Sequence, residues 1–267
     1  MTRELLTGAD FKGPLQINGS AGTSGQLLAS QGDGAIPQWV AAGGFSGGTL
    51  TSNLTLASGT TSLSPLTLQS GTNLTTATAG AVEYDGKVVY STPAGRGVSP
   101  SMMFYRLNAD LTGASVNTAQ NLFGVGVTLQ ASTIYAFECG IAISKTAGTV
   151  SHSIGLGFGG TATLNNILYT GIWVTLTAAL PQVSTVCNSL AINTASNTAI
   201  TSSAATASRL FYSMFSGTVS VNAGGTFIPQ YTLSAAPGGA YSTAAGSYFR
   251  IWPIGAAGAN TSVGPWA

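Results

Sequence analysis

The stretch TIYAFECGIAI, residues 133–143, constrains the fold more than any other part of the chain. Its large side chains fall on alternate residues, so Tyr135, Phe137, Cys139, Ile141 and Ile143 share one side of an extended backbone. A helix would scatter them around its circumference, because helical side chains repeat every 3.6 residues and strand side chains every two. VSHSIGLGF, residues 150–158, alternates in the same way, with Val150, His152, Ile154, Leu156 and Phe158 set against Ser and Gly. Lys145-Thr146-Ala147-Gly148 between the runs is turn chemistry, so the two are expected to pair as an antiparallel hairpin. Further strands are expected near 122–130, 167–176, 183–192, 208–220, 227–233 and 247–254. Such a series of strands over residues 98–267 fits a β-sandwich or jelly roll.

Composition supports an all-β reading and narrows the partners. Charged residues make up 6% of the chain, against roughly 25% in an average soluble domain. Hydrophobic residues reach 44%, which is the wrong profile for disorder, yet no run approaches the ~18 apolar residues of a membrane-spanning helix. The net charge of +1 comes from scattered bases, with no formal charge between Lys145 and Arg209. Nothing here makes an electrostatic footprint for nucleic acid or an anionic membrane. A surface so poor in charge tends to associate, and the partner this implies is further copies of the same chain. Cys139 sits in the alternating run, so a buried free thiol is expected rather than a disulfide with Cys187. Residues 1–20 lack the apolar core of a secretory signal, and synthesis in a cytoplasm is expected.

Candidate sites are few. His152 is the single histidine, which leaves no second imidazole in the chain for a metal site. It is expected as a hydrogen-bonded core or interface residue, with an ion site only where copies meet on a trimer axis. The seven acids do not have calcium-loop spacing. Glu83 and Asp85 belong to a hairpin, Val82-Glu83-Tyr84 and Val88-Val89-Tyr90 around Asp85-Gly86, a dipeptide favoured in two-residue turns. GFGG (157–160) and AGRG (94–97) lack a following helix and a phosphate-loop lysine, and read as turns. Catalytic residues, metal ligands and cofactors are therefore expected to be none. Aromatics cluster in the C-terminal part, among them Trp173, Trp252, Trp266, Tyr169, Tyr231, Tyr241 and Tyr248. Flat rings are what the apolar faces of neutral sugars stack on, and Tyr169, Trp173, Tyr241 and Trp252 are the host-surface binding candidates. The same residues also suit a sheet core or an interface.

The first 97 residues have a different texture. Residues 1–45 form a Gly-rich, Pro-punctuated head, expected to be an extended segment ordered by lying against something else. Residues 46–97 begin with a leucine-spotted ribbon, in which Leu50, Leu54 and Leu56, then Leu63, Leu66 and Leu68, recur between Ser, Thr, Gly and Asn. One such ribbon leaves an apolar edge in water; three wound together would cover it. The hairpin at 82–90 closes this segment.

In order along the chain, SAGTSGQLLASQGDGAIPQWV and LTLQSGTNLTTATAGAVEYDGKVVYST resemble elements of tailed-bacteriophage virion fibre proteins. NLFGVGVTLQASTIYAFECGIAISKTAGTVSHSIGLGFGGTATLNNILY is more loosely similar to the globular tips of phage structural proteins. The resemblance covers residues 20–97 best and departs from long-shafted fibres in the shortness of any shaft. It implies a homotrimer in the virion: a particle-attachment segment at 1–45, a short intertwined β shaft at 46–97 and a β-sandwich knob at 98–267. Gln26, Leu27, Leu28, Pro37 and Trp39 would anchor it, with Trp39 plugging a groove of a neighbour. Its partners would be itself, other proteins of tail or capsid, and a host-surface glycan or receptor. The function expected is an adsorption fibre and not an enzyme; the alternative is a trimeric capsid decoration or cement protein, and the acids give a polysaccharide-cleaving tailspike no positive support.

Overall fold

A computed structural model describes residues 16–24, 26–41, 53–99, 101–176, 187–258, 260, 262–264 and 266. The rest of the expected head, Leu50 and the start of the expected strand at 183–192 lie outside the described residues. The described residues contain strands, turns and no helix. The chain divides into two compact units, Met1–Leu66 and Thr67–Ala267.

In the first unit, β1 (Gln26–Ala29) and β2 (Gln38–Ala41) form a hairpin in the register Leu28↔Trp39. The head thus contains local structure where only an extended segment was expected. The chain reverses between them at Asp33-Gly34, where Gly34 takes φ 76°, a conformation that glycine adopts without steric cost.

The second unit opens with β3 (Val82–Tyr84), β4 (Val89–Ser91) and β5 (Gly97–Ser99), a three-stranded meander. The expected hairpin is present, but its connection spans Asp85–Val88 rather than two residues. The Asp85 carboxylate accepts from the backbone N–H of Lys87 (2.8 Å) and Val88 (2.7 Å), and the Tyr90 hydroxyl donates to it at 2.9 Å. That side-chain cap favours the longer turn over a tight one.

The chain continues through β6 (Met103–Arg106), β7 (Leu111–Thr112), β8 (Gln120–Asn121), β9 (Val127–Leu129), β10 (Thr133–Lys145), β11 (Ile154–Gly159) and β12 (Thr163–Leu176). It ends with β13 (Asn188–Ile192), β14 (Thr198–Ala199), β15 (Arg209–Ala223), β16 (Gly225–Leu233), β17 (Ser242–Thr243) and β18 (Tyr248–Ala256). An eight-stranded sheet runs β13-β12-β15-β10, beyond which β10 pairs with both β17-β7 and β18-β6. A five-stranded sheet runs β14-β11-β16-β8, with β9 also on β16.

The two sheets face each other across an aromatic core. Phe137 of β10 meets Phe158 of β11 at 5.3 Å, Phe158 stacks on Phe227 of β16 at 4.5 Å, and Tyr169 and Phe215 close the cluster. All five large residues of the 133–143 alternation are buried, as the period of two requires. The expected hairpin of 133–143 with 150–158 does not form: β10 pairs with β15, β17 and β18, while β11 pairs with β14 and β16 in the other sheet. Each run has one strongly apolar side. Setting them face to face across the core buries both sides against each other, which side-by-side pairing does not. GFGG is likewise strand rather than turn through Gly159, and a side chain at Gly157 would press on the Asn197 backbone 2.9 Å away.

The two charges that bound the neutral stretch, Lys145 and Arg209, are register partners, and both are buried. The Lys145 ammonium donates to the carbonyls of Ala147, Gly148, Thr206 and Ala207. Arg209 donates to the carbonyls of His152 (2.8 Å) and Ser202 (3.0 Å) and to the Thr201 hydroxyl (3.0 Å). Burial, and then the neighbouring guanidinium, lower the Lys145 pKa. These contacts fasten the loops at one end of the sandwich.

Candidate interaction surfaces

The anchor candidates occupy the β1–β2 hairpin. Leu27 and Leu28 are exposed, as is Pro37 in the connection. Gln26 is half-buried, its side-chain oxygen accepting from the Thr23 N–H at 2.7 Å. Trp39 is also half-buried, but against its own chain. Its indole lies over Gly22, where a Cβ would approach the ring to 2.8 Å, and its N–H donates to the Ser20 carbonyl at 2.9 Å. Trp39 therefore fills a groove of its own unit, since the glycine's missing side chain leaves room for the ring close by.

Next along the chain, Leu54, Leu56, Leu63 and Leu66 of the first unit, and Leu68 and Leu74 at the start of the second, are 37–72% exposed. None of residues 53–78 is in a strand. Local contacts shape the segment: the Thr60 hydroxyl accepts from the N–H groups of Ser62 and Leu63, and the Leu74 N–H donates to Glu83 at 2.6 Å. None of this covers the leucine side chains. Scattered surface leucines are ordinary, but exposed leucines that recur this closely along the chain in each unit suit an interaction surface.

The outer face of the eight-stranded sheet is a second apolar surface. Leu168 and Ile172 of β12 and Tyr212 and Met214 of β15 are exposed, with Ile172 beside Met214 and Val174 beside Tyr212. On β10 the same face carries Ala136, Gly140 and Ala142. Its charges cancel within the chain: Arg250 and the Tyr248 hydroxyl both donate to Glu138 at 2.7 Å. These two donors lower the Glu138 pKa.

Of the host-surface candidates, Tyr169, Trp173 and Tyr241 are buried in the sandwich, which removes them from direct contact with a host molecule. Tyr169 and Trp173 are on the inward face of β12, and Tyr241 precedes β17, its ring against His152 and Tyr231. Trp252 alone is partly exposed, with the Arg250 guanidinium 6.0 Å from its ring centre. His152 is fully buried. Its Nδ1 is 2.7 Å from the Val150 carbonyl and its Nε2 2.8 Å from the Tyr241 hydroxyl, so it is closed off from any symmetry axis between copies. Burial lowers its pKa, with the Arg209 and Lys145 charges acting in the same direction.

The acids of the second unit are engaged structurally. Glu83 pairs with Arg96 at 2.9 Å, Asp85 caps its turn, Asp110 accepts from the Ala245 N–H at 2.7 Å, and Glu138 pairs with Arg250. Both cysteines are free, Cys139 buried and Cys187 exposed. Among the described residues no cluster of His, Cys, Asp or Glu is placed to hold a metal, and no helix is long and apolar enough to cross a membrane.

No family model matches the chain, and no curated protein matches it in sequence. Among solved structures, that of the infectious bursal disease virus Gx strain is similar at 10% identity over 70% of this chain and 49% of that one, with a TM-score of 0.17. The crystal structure of the infectious bursal disease virus VP2 subviral particle is similar at 10% identity over 61% and 44%, with a TM-score of 0.15. The chain spans about half the length of these structures or less. Likeness at this level carries no argument about fold or function.

Proposed function

We propose that the chain is a virion structural protein of a tailed bacteriophage. In this reading it is a homotrimeric fibre, attached to the particle through its N-terminal segment, whose β-sandwich adsorbs to a glycan on the host surface. The observation that carries the reading is the leucine series at 54–74, exposed in one chain and in no strand. Three copies wound together would bury it, each leucine contributing about 1.5–3 kcal/mol when fully covered. The apolar, internally neutral outer face of the large sheet agrees with association of like copies. The structural engagement of the acids in the second unit favours a non-enzymatic role over polysaccharide cleavage.

Locating the protein on intact particles by electron microscopy, with an antibody or a fused tag, tests the reading. Density in a few copies at the tail is expected. Even decoration of the head would replace the fibre with a capsid cement protein, and absence from particles would overturn the proposal.

A further inference from the structure

A cleft of about 340 Å³ opens where the edges of the two sheets of the sandwich meet. Thr112 and Thr243 reach it from the β7–β17 edge, Gln120, Asn121 and Tyr231 from the β8–β16 edge, and Gly113 from the loop that joins β7 to β8. No charged side chain lines it. Its volume lies within the range of small-molecule sites, and the rim of a sandwich, where loops meet, is a common place for one.

The polar groups of this cleft are held in place but not exhausted. The Gln120 amide clamps Ala114, its oxygen accepting from the Ala114 N–H and its nitrogen donating to the Ala114 carbonyl at 3.0 Å, which leaves one amide hydrogen over. Asn121 Oδ1 accepts from Gln230 at 2.9 Å, and the Asn121 NH₂ has no partner among the described residues. Tyr231 is 2% exposed, and its hydroxyl has no hydrogen-bond partner among the described residues. That hydroxyl is the end of the side chain at the cleft: a Cβ on Gly113 would collide with both Tyr231 Oη and Gln120 Oε1. Glycine at 113 is thus what lets these two oxygens share the site. Burial, and then the nearby Tyr241, push the Tyr231 pKa up to about 12, so the phenol keeps its proton at neutral pH.

A buried hydroxyl without a partner destabilises a fold, and native structures hold few of them. Here one sits beside amide and hydroxyl groups with spare hydrogen-bonding capacity, in a cleft that carries no charge. We infer that this cleft binds one unit of an uncharged, polyhydroxylated ligand, a neutral sugar, with Tyr231, Gln120 and Asn121 bonding its hydroxyls. Charged sugars are disfavoured, because no opposite charge lines the cleft to offset their desolvation. The inference deepens the adsorption reading by naming the ligand class, and rests on that reading for its biological setting.

Saturation-transfer NMR on the full-length protein tests it, with methyl glycosides of glucose, galactose, mannose and N-acetylglucosamine as neutral probes. Glucuronate and N-acetylneuraminate serve as charged ones. Transfer to at least one neutral glycoside is expected, with Kd raised about fivefold in Tyr231→Phe, the loss of one neutral hydrogen bond. Asn121→Ala, at an exposed position, should weaken binding similarly. Tyr169→Phe, which removes from the aromatic core a buried phenol likewise without a partner among the described residues, should leave binding unchanged. Because Tyr231→Phe removes an unpartnered group, its Tm should equal or exceed that of the wild type, which separates lost binding from lost folding. No transfer to any neutral glycoside, preference for the charged probes, or equal affinity in Tyr231→Phe would overturn the inference. Glycoside binding by a protein absent from particles would remove the adsorption reading and keep the cleft; a protein found on particles that binds no glycoside would do the reverse.

Discussion

The leucine ribbon and the sandwich use the same local pattern and meet different fates. Leu54-Thr55-Leu56 and Leu66-Thr67-Leu68 alternate as Tyr135-Ala136-Phe137 does, yet these leucines are exposed while Tyr135 and Phe137 are buried. The difference lies in what flanks and faces each stretch. β10 runs for 13 residues, has a paired strand on either side, and has the second sheet across from it. The ribbon's apolar pieces are interrupted by Ser-Gly and Ser-Pro, too short to gather neighbours from their own chain. Period-two alternation therefore fixes which side of a segment seeks cover, but not whether the same molecule supplies it. Where one chain leaves such a side open, another must close it or the segment stays in water.

Changing one region at a time sharpens this contrast. The largest effect is expected from Leu54, Leu63 and Leu66 replaced together by Ser. Each buried leucine lost from a three-chain assembly removes about 1.5–3 kcal/mol per chain, so light scattering should report single chains. The sandwich of this variant should keep its wild-type denaturation midpoint. Phe158→Ala acts on the other region. It empties a position stacked at 4.5 Å on Phe227, and should cost about 3–5 kcal/mol in denaturant-induced unfolding of the sandwich. If Phe158→Ala abolished association while the leucine variant did not, the division of labour between the two regions would be reversed.

Smaller effects probe the joints. Asp85→Ala removes the acceptor of two turn N–H groups and leaves the buried Tyr90 phenol unpartnered, a loss of about 1–3 kcal/mol readable as a lower Tm. The smallest effect should come from His152. Its pKa is lowered in the fold, so the unfolded chain takes up the proton first, at the ordinary value of 6.5. Stability from this group is present above pH 6.5 and is lost as pH falls toward the lowered value. The Tm should decline between about pH 7 and pH 5, above the range where the carboxylates protonate. His152→Gln should flatten that slope.

Much of the sandwich was legible in the residues, because strand alternation is a local property. The five buried side chains of 133–143, the strands β12, β15, β16 and β18, and the free buried Cys139 follow from it. Pairing was not legible. Lys145-Thr146-Ala147-Gly148 reads as a hairpin turn, but its carbonyls instead bind the Lys145 ammonium and the chain crosses to the opposite sheet. Nothing local records that β15 and β18 would take the two edges of β10. The cleft was less legible still. Tyr231 is one aromatic among many in the sequence, but only the structure shows that its hydroxyl lacks a partner among the described residues and lies beside Gln120 and Gly113, more than a hundred positions away. The other candidate rings, Tyr169, Trp173 and Tyr241, sit in the core.

In the proposed trimer, other copies of the same chain close the leucine-lined segment. The mass of the full-length protein in dilute neutral buffer, measured by sedimentation equilibrium, tests it most directly. Three chains of 26.7 kDa, about 80 kDa in all, is the predicted result. A stable, soluble and homogeneous particle of 26.7 kDa would contradict it.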